Sequence, residues 1–122
     1  MTESLARKVA DWMLEGKAQS VVIIDVRALS SYADFLVVGS GTSDRHVQGV
    51  AEHVVEALEN CHTRILGVEG LREGQWALVD LGSVVAHVFH QYTRQVYDLD
   101  GLWARAPRIA IVERATVQPC VR

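Results

Sequence analysis

The apolar positions of the chain alternate between two periods. Near the start, Leu5, Val9, Trp12 and Met13 recur at i, i+4, i+7 and i+8, with Ala6 and Ala10 beside them. That spacing gathers them on one face of a helix, and Gly16 is the expected stop. A second helix is predicted from Ser43 or Asp44, either of which can cap it, to about Asn60. Within it, Val47, Val50, Ala51, Val54 and Leu58 fall at i, i+3, i+4, i+7 and i+11. Between the helices, Val21–Val26 is apolar and β-branched except for Asp25, and Phe35–Val38 is a second such run. Both read as strands buried on two faces. The Arg27–Asp34 segment joining them is too short for a helical crossover, so an antiparallel pairing is predicted.

After the second helix, Ile65–Val68 reads as a short strand, reached by a right-handed crossover from the Phe35 strand. Glu69–Gly74 is a loop. Trp76–Leu81 and Val84–Phe89 are strands around Gly82-Ser83, and Gly first in a two-residue turn suits a type II′ hairpin. Asp98–Trp103 predicts a short final helix, and Ile109–Val112 either an extra strand or an arm. This order of elements gives one α/β (α+β) domain over residues 1–107, with a mixed sheet of about five strands and helices mainly on one face. Residues 108–122 form a C-terminal tail with no assigned role.

The hairpin allows a sharper reading. With Gly82-Ser83 at the tip, Leu81 lies opposite Val84, Asp80 opposite Val85, Leu78 opposite His87, and Trp76 opposite Phe89. Side chains alternate between faces. One face holds Ala77, Val79, Leu81, Val84, Ala86 and Val88, small or aliphatic residues suited to closely packed helices. The other holds Trp76, Leu78, Asp80, Val85, His87 and Phe89. If the two helices cover only one side, this bulky face stays open, and an exposed aromatic patch with polar groups marks a partner site. Otherwise it is a second core layer. The hairpin alone leaves both open.

Composition narrows the partner. A chain of 122 residues fits one domain and can bury a core without staples. It carries 12 basic and 15 acidic residues, a net charge of -3, with no basic block. Affinity for nucleic acid comes mainly from neutralising phosphates, so a protein or a small ligand is the better partner. Cys61 and Cys120 are the only cysteines; one pair is no disulfide framework, which fits a reduced setting. No apolar run approaches the roughly 20 residues of a membrane span. The N-terminus lacks a signal peptide's apolar segment, and Glu3 with few Arg argues against a transit peptide. A cytoplasmic location is expected.

Candidate chemistry is sparse. Gly39-Ser40-Gly41-Thr42-Ser43-Asp44 leads from a strand into a helix, and such a turn can cradle an anion. It lacks the Lys-Ser/Thr of a P-loop and the spacing of a dinucleotide fingerprint, so a tight turn with a helix cap is the favoured reading. Nucleotidyl transfer needs carboxylates converging on a divalent metal, whereas Asp25, Asp34, Asp44 and Asp80 are scattered. His87 and His90 point to opposite faces of a strand. His46 and His53 are nearly two helical turns apart, too far for one zinc. Cys61-His62 has no third member for nucleophilic catalysis. No catalytic residue, metal or cofactor is expected. Tyr32, Tyr92 and Tyr97 read as packing residues, or, for Tyr97-Asp98-Leu99, as neighbours of the aromatic patch.

Taken together, these stretches resemble the ribosomal silencing factor family (RsfS), also called Iojap-like. The resemblance lies in Ser30-Ser31-Tyr32-Ala33-Asp34-Phe35, running on through Ser40-Gly41-Thr42-Ser43-Asp44-Arg45-His46-Val47-Gln48. It continues in Glu69-Gly70, Trp76-Ala77-Leu78-Val79-Asp80 and His87-Val88-Phe89-His90, then Thr93-Arg94, Tyr97-Asp98-Leu99 and Trp103. The blocks stand in order over residues 3 to 107. Leu81 and Ser83 depart from the Tyr and Asp common in the hairpin turn, and Gln91 from the Pro that often follows the histidine. The resemblance implies a nucleotidyltransferase-like topology without the enzymatic carboxylates. It implies docking on the large ribosomal subunit through large-subunit ribosomal protein number fourteen (L14), on the face that meets the small subunit. Subunit joining would then be blocked and translation repressed when nutrients run short. Homodimers of the free protein, and a large-subunit assembly role in organelle relatives, are implied on the same grounds. The contact residues carried over are Trp76, Leu78, Asp80, His87, Phe89, Tyr97 and Leu99.

Overall fold

The computed structural model describes residues 2–111. The first helix, α1 (Thr2–Glu15), buries Ala6, Val9, Ala10, Trp12 and Met13, the stripe that the 3.6-residue period demands. It ends at Glu15, immediately before the expected stop at Gly16. The left-handed residue is Lys17, at φ 68°. The Ala18 N–H donates to Met13 O and the Lys17 N–H to Leu14 O, both at 2.9 Å, which is a Schellman closure. Gly16 also lets α1 come close to the second helix: a Cβ there would stand 3.3 Å from a Val50 methyl. α2 (Asp44–Asn60) buries Val47, Val50, Ala51, Val54 and Leu58. It closes in the same way, with His62 at φ 56° and the Thr63 N–H on Leu58 O.

The strands are β1 (Gln19–Asp25), β2 (Phe35–Gly41), β3 (Gly67–Glu69), β4 (Trp76–Asp80), β5 (Val84–His90) and β6 (Arg108–Ile109). They form one mixed sheet in the order β3-β4-β5-β2-β1-β6. β1 and β2 pair antiparallel, as their short connection requires. β2 and β5 are parallel neighbours, with Leu36 opposite Val85 and Val38 opposite His87. Ile65 and Leu66 precede β3 rather than forming it. β3 is not a neighbour of β2 but lies at the far edge, paired with β4. A sixth strand exceeds the count of five. Arg108 and Ile109 pair with Ile24 and Ile23 of β1, so the sheet runs past residue 107; Val112 lies outside the described residues.

α1 and α2 lie on one face, over a core that includes Val9, Met13, Phe35, Val37, Val50, Leu58, Val79 and Val88. The opposite face carries a smaller cluster of Ile24, Val26, Ala33, Leu36, Val38, Phe89 and Ala106. Two short helices cover part of it, α3 (Gln91–Tyr97) and α4 (Leu99–Leu102), with Leu99 and Trp103 packed against the cluster. The long helices thus take one side of the sheet, and a short strap of chain crosses the other.

Candidate partner-binding face

The hairpin has the register its tip implies: Trp76 opposite Phe89, Leu78 opposite His87 and Asp80 opposite Val85. Gly82 takes φ 87°, and its N–H donates to Asp80 Oδ1 at 2.8 Å. Ala77, Val79, Val84, Ala86 and Val88 are fully buried on the helix side. The face left to the other residues is graded. Phe89 is fully buried and His87 6% exposed, while Trp76, Leu78, Asp80 and Val85 are half-buried. The inner end is therefore core layer, and the outer end is open surface.

Trp76 sits between these two regimes. Its ring stacks on Phe89 at 4.8 Å between centroids, and Tyr97 leans on it from α3 at the same distance. Its Nε1–H donates to His87 Nδ1 at 3.0 Å. Tyr97 is 59% exposed. Glu69, Trp76 and Leu78 bound a shallow notch of about 200 Å³; Glu69 and Leu78 are cross-strand partners. Burial pushes the His87 imidazole down to about 4, so the ring is neutral at neutral pH, as an accepting Nδ1 requires. Of the residues carried over from the resemblance, Trp76, Leu78, Asp80, Tyr97 and Leu99 reach the surface at least in part, and His87 and Phe89 lie beneath them.

The strap is held by a residue to which the sequence assigned no role. Arg94 donates to both oxygens of Asp100, at 2.9 and 3.0 Å, and also to Ser40 Oγ and Ser20 O, each at 2.8 Å. The Arg94 hydrogen bonds hold the Asp100 carboxyl below its ordinary range. Ser20 can offer its carbonyl because β1 is irregular there, with a register shift between Gln19 and Val22 and Ser20 at φ 51°. Arg108 adds hydrogen bonds to the carbonyls of Asp100, Trp103 and Ala106. Asp98, at φ 47°, turns α3 into α4. A linear reading has no signal for an arginine whose partners lie on three separate elements.

The Ser40–Asp44 turn is filled from within. Ser43 Oγ accepts the His46 N–H at 3.0 Å, and His46 Nδ1 accepts the Thr42 N–H at 3.0 Å. Gly41 lets the turn pack on α2, since a Cβ there would lie 2.9 Å from Val47. The Asp44 carboxylate accepts from Gln75, whose other amide atom accepts from Thr93 Oγ1 at 2.6 Å. The Thr42 and His46 amides are thus committed to partners within the turn, which favours the tight-turn reading. Asp25 pairs with Arg27 at 2.7 Å, and His53 pairs with Glu15. Among the described residues, no group of three or more His, Cys, Asp or Glu could hold a metal ion, and no helix is long and apolar enough to cross a membrane.

Comparison with known proteins agrees with this architecture. A crystal structure of a Chromobacterium violaceum protein superposes with a TM-score of 0.83 at 28% identity, covering 94% of this chain and 95% of that one. One from Bacillus halodurans gives 0.80 at 30% identity, covering 89% and 99%. The Bacillus subtilis ribosomal silencing factor RsfS is 36% identical over 75% of this chain and 77% of its own length. The mouse protein named "Mitochondrial assembly of ribosomal large subunit protein 1" is 34% identical over 70% of this chain, which spans 39% of that longer protein. Residues 1–120 match the family described as "Ribosomal silencing factor during starvation", and the chain belongs to that family.

Proposed function

We propose that this chain represses translation without catalysing a reaction, by docking its Trp76–Tyr97 face on ribosomal protein L14 of the large subunit. The bound protein then occupies space the small subunit needs, and joining fails by steric overlap. The observation that carries the reading is Trp76 itself: a half-buried indole at the start of β4, fixed by Phe89, Tyr97 and His87. Binding energy concentrates in such pre-positioned aromatic anchors, and a fixed ring spares part of the ordering cost of association. Leu78 and Leu99 extend the apolar centre, and Asp80 with Glu69 supplies an acidic rim. The net charge of -3 supports affinity through protein contacts over rRNA phosphates. The same proposal includes a cytoplasmic location and a homodimer of the free protein.

Sedimentation with isolated subunits tests it. The protein should travel with large subunits and not small ones, and pre-loaded large subunits should fail to form whole ribosomes. Absence of large-subunit binding, or binding that leaves joining intact, rejects the proposal. Occurrence only on precursor particles would transfer the function to large-subunit assembly, the role in the mouse relative's name.

A further inference from the structure

Ring stacking leaves one degree of freedom unsettled. Phe89 and Tyr97 hold the Trp76 indole from two sides, but an aromatic contact tolerates rotation of the ring by about 180° about its Cβ–Cγ bond, which keeps the plane and exchanges the edges, whereas a directional hydrogen bond does not. The Nε1–H to His87 Nδ1 bond of 3.0 Å fixes that rotation. It commits the only polar atom of the indole to His87, so the ring has no free polar atom to offer at the notch it lines with Glu69 and Leu78. His87 is itself nearly buried and lies almost parallel to Phe89, at 10° with 6.1 Å between centroids. It is thus placed to act on the partner face without reaching the partner.

We propose that His87 is a positioning residue for partner binding: its accepting Nδ1 locks the Trp76 indole in the orientation presented to the partner. This rests on the ribosome-docking reading above. His87→Leu removes the acceptor and strands the indole N–H; His87→Gln keeps an acceptor.

The test is a double-mutant cycle on large-subunit affinity, combined with the indole N–H resonances of the three tryptophans; Trp76 is assigned by its loss in Trp76→Phe. In the Trp76 parent, His87→Leu should weaken large-subunit binding about tenfold and move the Trp76 N–H resonance towards that of a free indole. In Trp76→Phe there is no N–H to hold, so the same change should weaken binding less than about threefold. Equal losses in both backgrounds, or a tenfold loss with the Trp76 resonance unmoved, would overturn the role. So would a His87→Leu protein that binds like its parent. If His87→Leu does not fold, His87→Gln decides: retained indole bond and affinity within about threefold support the role, and lost affinity with the bond retained rejects it. A parent that does not bind large subunits rejects the ribosome reading instead, a result visible before any variant is compared.

Discussion

Arg94 holds Asp100 through two parallel hydrogen bonds, Nε to Oδ2 at 2.9 Å and Nη2 to Oδ1 at 3.0 Å, across the turn that Asp98 makes between α3 and α4. The bidentate geometry is the strong form of this pair, and the Arg94 side chain is only 12% exposed. The pair decides where Tyr97 and Leu99 sit, because both lie between its partners in the sequence. Arg94→Met should therefore cost about 2 kcal/mol of stability, the buried Ser40 and half-buried Asp100 losing their donor. Amide exchange should rise over residues 94–103 while β1, β2 and β5 stay protected. A denaturant melt and native-state exchange check both parts. Uniform loss of protection would mean that the strap does not open on its own.

Acid should weaken the fold in two stages. His87 titrates near 6.5 when unfolded and at about 4 when folded. Between these values the unfolded chain binds the extra proton. The stability from neutral His87 is thus fully present above pH 6.5 and is lost as pH falls towards 4, a difference of roughly 3 kcal/mol. Asp100 is also depressed, by its hydrogen bonds from Arg94; its contribution is present above about 4 and lost only below that. His87→Gln should flatten the first stage and leave the second. Denaturation midpoints at about pH 7, 5, 4 and 3 check this, and an unchanged slope above about pH 4 in His87→Gln would exclude His87 as its source.

Where two levels of sequence pattern agree, the fold is readable. The hairpin combines a period of two with Gly82-Ser83, and its register and the division of its residues between two faces follow from those alone. α2 combined a 3.6 period with a Ser43 cap. The strap had neither: Gln91–Tyr97 has no apolar stripe, and its placement depends on Arg94 reaching an irregular point in β1. For β3 the sequence predicts a crossover from β2, but nothing local records that β4 and β5 insert between the two. The division of the aromatic face into buried Phe89 and exposed Tyr97 depends on that strap too, so the hairpin sequence does not contain it.

Ser43 separates a helix cap from a binding residue. Its Oγ accepts from the His46 N–H, so Ser43→Ala should cost about 1 kcal/mol of stability and leave large-subunit affinity unchanged. Under the competing nucleotide-binding reading, the parent would show a thermal shift with nucleotide and magnesium that Ser43→Ala abolishes. A flat response from the parent at millimolar ligand removes that reading.

Phe89 and Tyr97 both touch Trp76, yet they should fail first in different assays. Phe89 is fully buried in the second cluster, so Phe89→Ala should be read first in stability, at a cost of about 3–5 kcal/mol, with binding reduced through the Trp76 ring it no longer supports. Tyr97 is 59% exposed and supports the indole from outside. Tyr97→Ala should cost about 1 kcal/mol or less of stability and weaken large-subunit binding by about 2 kcal/mol. Melting curves beside sedimentation affinities check the pair. A Tyr97→Ala protein that binds normally would move the partner face away from α3 and confine it to Leu78 and the notch beside Glu69.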